Sequence, residues 1–127
     1  MKYKGKILVI EDEDDINRLL CSILEDKGYE VTGVFSGTES LIYVNKYSWD
    51  MILLDLIIPG ICGEELIVKI RKVTKSPIIV ISAKSDRKTK LELLENGADD
   101  FIIKPFDPDE VVARVNVNIR RYIKKCY

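Results

Sequence analysis

The sequence predicts a doubly wound α/β fold, in which helices cover both faces of a five-stranded parallel sheet. Three observations support this prediction. Short apolar runs recur along the chain and alternate with amphipathic segments. Three of the runs are apolar throughout, which is typical of strands that a parallel sheet buries on both faces. Regular alternation of strand and helix also predicts right-handed crossovers between parallel strands.

Five segments are predicted to be strands. The continuous apolar runs are residues 7–10, 51–54 and 78–81, and the weaker candidates are residues 30–34 and 100–103. The amphipathic segments between these runs carry helix start and stop residues.

Capping residues and apolar periodicity indicate the first two helices. Apolar side chains recur at helical spacing from Ile16 to Leu24, and Gly28 is placed to end the first helix. Ser36 followed by Glu39 is a capping box, which predicts the start of the second helix.

The last three helices follow the third, fourth and fifth strands. The segment Gly63–Arg71 is predicted to turn its apolar residues inward. Ser85 can cap a fourth helix, which carries Leu91 and Leu94 and ends at Gly97. Residues 107–110, Asp-Pro-Asp-Glu, are a strong start for the fifth helix, because they combine an N-cap acid, a first-position proline and a third-position glutamate.

Composition indicates a single globular domain over residues 1–127. Apolar residues make up 46% of the 127 residues and charged residues 32%. The 20 basic and 21 acidic side chains nearly cancel, which argues against direct binding of nucleic acid. A basic cluster near the end, at residues 120–125, is interpreted as a solvated helix face.

Several functional classes are excluded or disfavoured. No apolar run approaches the ~20 residues that span a bilayer, and the first run is too short for a signal peptide, so we expect a cytoplasmic location without membrane contact. The chain has 3 scattered cysteines and no histidine. A zinc site and a Ser-His or Cys-His catalytic pair are therefore excluded.

Polar residues follow the predicted strands at the points where ligands bind in open parallel sheets. The first strand ends in Glu11 and Asp12, the third in Asp55, the fourth in Ser82 and the fifth in Lys104. Clustered carboxylates repel one another unless a cation neutralises them, and an oxygen-rich site without sulfur suits a hard ion such as Mg²⁺. A nearby lysine would suit transfer of a phosphoryl group to an aspartate.

Four motifs in the sequence resemble those of a known family. They are residues 7–12 (ILVIED), 53–56 (LLDL) with Pro59, Gly60 and Gly63, 81–84 (ISAK) and 97–106 (GADDFIIKPF). Together they resemble the receiver domain of response regulators, most closely the receivers of OmpR-type winged-helix transcriptional regulators. The resemblance implies a CheY-like (flavodoxin-like) sheet with strand order 2-1-3-4-5.

The resemblance also implies a function in two-component signal transduction. A sensor histidine kinase would donate a phosphoryl group to Asp55, in a reaction that depends on Mg²⁺ or Mn²⁺. The metal would be held by Glu11, Asp12, Asp55 and the backbone carbonyl of Ile57. Such a domain would phosphorylate itself from small donors and slowly remove its own phosphate, but it would not be a turnover enzyme.

Other motif positions would bind and sense the phosphoryl group. Ser82, the Ala83 backbone N–H and Lys104 would contact its oxygens, and Phe101 would turn inward as an aromatic switch. The Lys104–Pro105 peptide bond would be cis. Glu11, Ser82 and Phe101 replace the more common aspartate, threonine and tyrosine, all of which are familiar alternatives in the family.

The surface of the fourth helix, fifth strand and fifth helix would form a homodimer upon phosphorylation. Its charged residues are Lys90, Asp99, Asp100, Glu110, Arg114 and Arg121. Lys90 with Glu110 and Asp100 with Arg114 are predicted cross-interface pairs, and the alternative is a solvated face with pairs inside one chain. DNA would be bound only through an effector domain absent from this chain.

The sequence is also compatible with other functions. The chain could be a stand-alone receiver or an interaction module that works without phosphorylation. A haloacid-dehalogenase-type hydrolase is disfavoured because Ile57 stands where those enzymes carry a second acid. A flavodoxin-like flavin binder is disfavoured because the loop after the first strand is acidic and would repel a phosphate.

Overall fold

The computed structural model describes residues 4–56, 61–83 and 87–126, and only the main chain of residues 124–126. Five strands alternate with five helices. The strands are β1 (Lys6–Ile10), β2 (Glu30–Val34), β3 (Met51–Asp55), β4 (Ile78–Ser82) and β5 (Asp100–Ile103). The helices are α1 (Asp14–Glu25), α2 (Gly37–Lys46), α3 (Gly63–Arg71), α4 (Arg87–Glu95) and α5 (Pro108–Cys126).

All neighbouring strands run parallel, and their order in the sheet is β2-β1-β3-β4-β5. The predicted fold class and strand order are therefore confirmed. β3 and β4 each extend one residue beyond their apolar runs, because Asp55 pairs with Ile81 and Ser82 pairs with Ile103 in the ladder. These two polar residues are consequently held by the sheet rather than by loops.

The core consists of one apolar layer on each face of the sheet. One layer joins the sheet to α1 and α5 through Leu20, Leu24, Val111, Val115 and Ile119. The other layer joins it to α2, α3 and α4 through Val44, Leu66, Ile67, Ile70 and Leu93. Burying one such side chain contributes roughly 1.5–3 kcal/mol. Every residue of β3 and β4 is buried, as their apolar runs predicted.

Two helix starts follow the predicted capping chemistry. Ser36 Oγ accepts a hydrogen bond from the Glu39 N–H at 3.1 Å, and Glu39 Oε1 accepts one from the Phe35 N–H at 2.8 Å. At the start of α5, Asp107 Oδ1 accepts a hydrogen bond from the Asp109 N–H at 2.8 Å. The predicted cap of α4, Ser85, lies outside the described residues.

Two glycines end helices with positive φ angles, as predicted. Gly28 follows α1 with φ of 96°, and Gly97 follows α4 with φ of 119°. A Cβ at Gly97 would also lie 2.7 Å from Cγ of Arg71, so this turn needs glycine for both its backbone and its space.

Helix α4 has little contact with the core. Leu91 and Leu94, which the sequence pattern singled out, are each 45% exposed, and Leu93 is the buried residue of this helix. Helix α3 has the same length of 9 residues but buries four of them, so α4 is the more weakly packed of the two. Among the helices of the described residues, none combines the length and apolar character that a bilayer-spanning segment requires.

Candidate functional site

Polar side chains meet at the carboxyl edge of the sheet. Glu11 directly follows β1, and Asp55 is the last residue of β3. Ser82 is the last residue of β4, and Lys104 directly follows β5. These four strands are consecutive neighbours in the sheet, so the sequence-predicted residues lie along one edge.

Three carboxylates form a compact acidic group at this edge. Glu11, Asp12 and Asp55 each place a carboxylate oxygen within 4.8 Å of the other two. Glu11 and Asp55 are only 1% and 6% exposed, whereas Asp12 faces solvent. Two unit charges ~4 Å apart repel by about 4 kcal/mol at an effective dielectric near 20. Such a group suits a hard divalent cation with oxygen ligands.

Lys104 brings one positive charge to this acidic group. Its Nζ donates a hydrogen bond to Asp55 Oδ2 at 2.8 Å and lies 3.6 Å from Glu11 Oε1. Burial by itself would lower the pKa of Lys104, but the hydrogen bond and charge of Asp55, followed by the charge of Glu11, raise it above its ordinary value. The lysine is therefore held in its charged form beside both carboxylates.

The negative charge of the group is only partly compensated. Burial raises the pKa of Glu11 to about 8, and the neighbouring Asp55 carboxyl group adds to the shift. Glu11 Oε1 is buried without a hydrogen-bond donor among the described residues. A buried polar atom without a donor requires an explanation, and a cation between these oxygens supplies one. The residues present therefore fit a Mg²⁺ ion.

The predicted phosphoryl-binding residues lie beside this group. Ser82 is buried and Ala83 is exposed. The Lys104 backbone N–H donates a hydrogen bond to the Ser82 carbonyl at 2.9 Å, which ties β4 to the residue after β5. The Lys104–Pro105 peptide bond, for which the resemblance implied a cis geometry, is cis. Ile57, whose backbone carbonyl was predicted to bind the metal, lies outside the described residues.

Phe101, the predicted switch residue, is half-buried on β5 and packs against the core layer shared by α2, α3 and α4. Lys90 Nζ of α4 lies 5.5 Å from the centre of its ring, within the range of a cation–π contact. The ring therefore connects β5 with a charged residue of α4.

The predicted dimer surface carries ion pairs within this single chain. Arg114 binds Asp100 at 2.9 Å and Glu110 at 2.9 Å. Asp99 pairs with Arg71 at the end of α3. The Asp100–Arg114 pair thus forms within one chain here, and its formation across an interface remains a prediction.

Sequence reasoning missed two residues that organise this part of the molecule. Asn17 is buried on α1, three and seven residues before the buried Leu20 and Leu24. That spacing places it on the inward face, and a polar residue in an apolar stripe could have identified it. Arg71 donates hydrogen bonds to the carbonyls of Gly97 at 2.9 Å and Ser76 at 2.5 Å, and no pattern in the sequence indicated this.

The sheet order and the acidic pocket at its carboxyl edge are those of the receiver class of signalling domains. Residues 7–116 match the family model described as "Response regulator receiver domain". This chain belongs to that family, and it is a response regulator receiver domain of two-component systems. Receivers interact with histidine kinases and bind Mg²⁺ at an acidic pocket.

Several known proteins resemble the chain. It is 39% identical to the regulatory protein VanRc of Enterococcus gallinarum over 92% of the chain and 51% of the relative. It is 41% identical to the response regulator ArlR of Staphylococcus aureus (strain USA300) over 94% of the chain and 55% of the relative. The chain thus spans about half the length of these curated relatives.

Solved structures resemble the chain over nearly its whole length. The receiver domain of the Francisella response regulator 1452 has a TM-score of 0.89 and 34% identity, covering 93% of this chain and 98% of that one. A two-component response regulator from Clostridium difficile has a TM-score of 0.89 and 30% identity over the same shares of the two chains.

Proposed function

We propose that this chain accepts a phosphoryl group on Asp55 from a sensor histidine kinase, with a divalent cation held by Glu11, Asp12 and Asp55. The observation that carries the proposal is the arrangement around Asp55. Its carboxylate sits in a pocket with two further carboxylates and is bound by one lysine. This arrangement needs a further positive charge and offers an aspartate that can act as a nucleophile.

A bound Mg²⁺, or Mn²⁺ in its place, would neutralise the incoming phosphoryl oxygens and the surrounding carboxylates. Glu11 and Asp55 would be its buried protein ligands and Asp12 its exposed one. The exposure of Asp12 supports this division, because Mg²⁺ usually keeps several water ligands. The Ile57 carbonyl completes the proposed ligand set.

The transfer exchanges one bond to phosphorus for another. A carboxylate oxygen of Asp55 forms a bond to phosphorus while the bond from phosphorus to the donor histidine nitrogen breaks. The nitrogen keeps the electron pair and takes a proton from solvent. Lys104 pairs with the phosphoryl oxygens, and Ser82 and the Ala83 N–H donate hydrogen bonds to them. Positioning and electrostatics account for the chemistry, so no general base is required.

An apolar groove beside the pocket supports a kinase as the donor. Ile16 and Leu19 of α1, with Pro105, Phe106 and Pro108, line this groove next to Lys104 and Ala83. Leu19 is 48% exposed. A helix of the kinase that packed its apolar face here would bring its histidine to the open side of the acidic pocket.

The proposed output is a change of the α4-β5-α5 surface. The added phosphoryl charge would draw Ser82 toward the acceptor, and Phe101 would turn inward behind it. The surface would then pair with a second copy, and an effector domain outside this chain would bind DNA. The relatives' greater length supports such a further domain. The receiver itself would only phosphorylate itself from small donors and slowly lose the phosphate, without turnover.

Intact-mass measurement after incubation with a small phosphodonor and Mg²⁺ tests the proposal. We expect one phosphoryl adduct on the wild-type chain and none on Asp55→Asn. Asp50→Asn is a matched control, since Asp50 precedes the same strand and accepts a hydrogen bond from the Lys6 N–H at 2.8 Å, as an asparagine also could. A wild-type chain that forms no adduct would instead be a phosphorylation-independent interaction module.

A further inference from the structure

A buried amide lies beneath the acidic pocket and contacts none of the three carboxylates through its donors. Asn17 is 2% exposed. Its Nδ2 donates one hydrogen bond to the Glu11 carbonyl at 2.9 Å and another to the Val34 carbonyl at 3.0 Å. Both donors of this amide are therefore used on the main chain at the ends of β1 and β2.

These contacts fix the main chain of Glu11 on both sides. The Glu11 N–H donates to the Val34 carbonyl at 3.1 Å, and the Glu11 carbonyl accepts from Asn17. The side chain is held as well, because Glu11 Oε2 accepts a hydrogen bond from the Glu13 N–H at 3.1 Å. With the main chain and Oε2 held in this way, Oε1 faces the acidic group and lies 3.6 Å from the Lys104 Nζ.

The space for the amide is provided by a glycine on the neighbouring strand. A Cβ on Gly33 of β2 would lie 2.1 Å from Asn17 Oδ1 and 3.2 Å from Cys21 Sγ. Cys21 in turn donates a weak hydrogen bond to Asn17 Oδ1 at 3.4 Å. An alanine at position 33 would therefore have to displace the amide.

We propose that Asn17 is a positioning residue for the metal site, which it serves by fixing Glu11, and that Gly33 is small so that this amide fits. The inference rests on the proposed function, because it assigns Glu11 to a cation. Groups that orient metal ligands commonly change metal affinity 10- to 100-fold when removed. Asparagine suits this position because it offers two neutral donors in one plane, whereas a serine offers one.

Calorimetric titration of the metal-free chain with Mg²⁺ measures the Mg²⁺ dissociation constant of each variant. We expect the Mg²⁺ dissociation constant to rise on the order of tenfold in Asn17→Ala. Gly33→Ala should raise it in the same direction. In the double variant Gly33→Ala should add little, because the amide that it displaces is already gone.

A matched control separates positioning from general stability. Asn118 is also a buried amide, 4% exposed, that donates two hydrogen bonds, to Asp100 Oδ2 at 3.0 Å and to the Arg114 carbonyl at 2.8 Å. Asn118→Ala should lower the urea midpoint about as much as Asn17→Ala but leave the Mg²⁺ dissociation constant within twofold of wild type.

The outcomes distinguish this inference from the proposed function. If the wild type binds Mg²⁺ and Asn17→Ala binds it equally well, Asn17 is only a structural residue and the inference is wrong. If the wild type binds no Mg²⁺, the proposed function fails first. If Asn17→Ala does not fold, the inference is tested by the Mg²⁺ affinity of Gly33→Ala and by NMR of the wild type. The side-chain amide signals of Asn17 should shift on Mg²⁺ addition, those of Asn118 should not, and an unmoved Asn17 overturns the inference.

Discussion

Lys104 Nζ lies 2.8 Å from Asp55 Oδ2, although the two residues are 49 positions apart in the chain. The contact joins the ends of β3 and β5 across the intervening β4. It places a fixed positive charge at the proposed acceptor before any phosphoryl group arrives, so no rearrangement is needed to bring this charge into the site.

Lys104→Met should slow formation of the phosphoryl adduct by about 10²-fold, since a preorganised donor to the reacting group is commonly worth that much. Time-resolved intact-mass measurement with a small phosphodonor would report the rate. Lys46→Met is a suitable control, because Lys46 ends α2 and its Nζ instead lies 5.9 Å from the ring centre of Tyr47. Equal rates for the Lys104 variant and wild type would contradict the assigned role.

Asp12→Asn should abolish most of the stabilisation that Mg²⁺ provides while leaving the metal-free chain at least as stable as wild type. Asp12 is exposed, so its removal costs little packing and relieves repulsion with Glu11 and Asp55. Mg²⁺ at 100 times its dissociation constant stabilises a folded chain by about 2.7 kcal/mol. Thermal melts with and without Mg²⁺ would measure this, and an unchanged shift in the variant would remove Asp12 from the ligand set.

The metal-free chain should lose stability as the pH rises from about 4.5 to about 8, the ordinary and folded pKa values of Glu11. Within this window the folded Glu11 holds a proton that the unfolded chain has released. The contribution of this proton to the free energy of unfolding is therefore full below pH 4.5 and lost by pH 8. Mg²⁺ prefers the ionised carboxylate and should therefore stabilise more at pH 8 than at pH 5.5.

Urea unfolding of wild type and Glu11→Gln at both pH values tests this dependence. The variant has no proton to exchange at position 11, so its stability should fall less between pH 5.5 and pH 8. Parallel changes in the two proteins would assign the dependence to other groups.

Gly63→Ala should destabilise the fold by about 2 kcal/mol, within the range that overpacking costs. A Cβ at this buried first residue of α3 would lie 2.6 Å from the Leu56 backbone oxygen, which has little freedom to move next to β3. Gly5→Ala is the milder comparison, because its nearest neighbour is a side-chain oxygen of Asp50 at 3.2 Å. Urea midpoints of the two variants should differ, and equal midpoints would show that α3 can shift.

Charge reversal can decide whether Asp100 and Arg114 pair within one chain or across a dimer. Asp100→Arg and Arg114→Asp should each weaken dimerisation of the phosphorylated domain. When the two variants are mixed, opposite charges face one another only if the pair crosses the interface, so a heterodimer should form in analytical ultracentrifugation. A mixture that stays monomeric would show that Asp100 and Arg114 pair within one chain, as they do here at 2.9 Å.

The sheet could be predicted because β1, β3 and β4 each contain an uninterrupted apolar run. The weaker strands β2 and β5 could be predicted because turn and cap residues flank them. The strand-end positions of Glu11, Asp55 and Lys104 followed from the parallel topology alone. The burial of Leu93 rather than Leu91 or Leu94 did not, because three leucines within four positions allow more than one inward face. The orientation of a short helix is decided by its contacts with the sheet.

The supporting contacts of the site were also beyond sequence reasoning. The position of Asn17 in the apolar stripe of α1 indicates that it is buried, but it does not indicate that its amide binds the main chain at the ends of β1 and β2. Arg71 resembles an ordinary basic residue in the last turn of α3, yet it binds carbonyls of two later loops. Contacts of this kind depend on the relative placement of distant segments, which periodicity does not encode.

The position of Asp55 at the end of β3 determines what can move when the domain responds. β3 is buried along its whole length and hydrogen-bonded to strands on both sides, so the proposed acceptor is held firmly in place. The response must therefore be carried by elements whose displacement breaks fewer buried contacts. Helix α4 buries one residue, Leu93, fewer than any other helix does among the described residues, so we expect it to be the easiest of the five to shift.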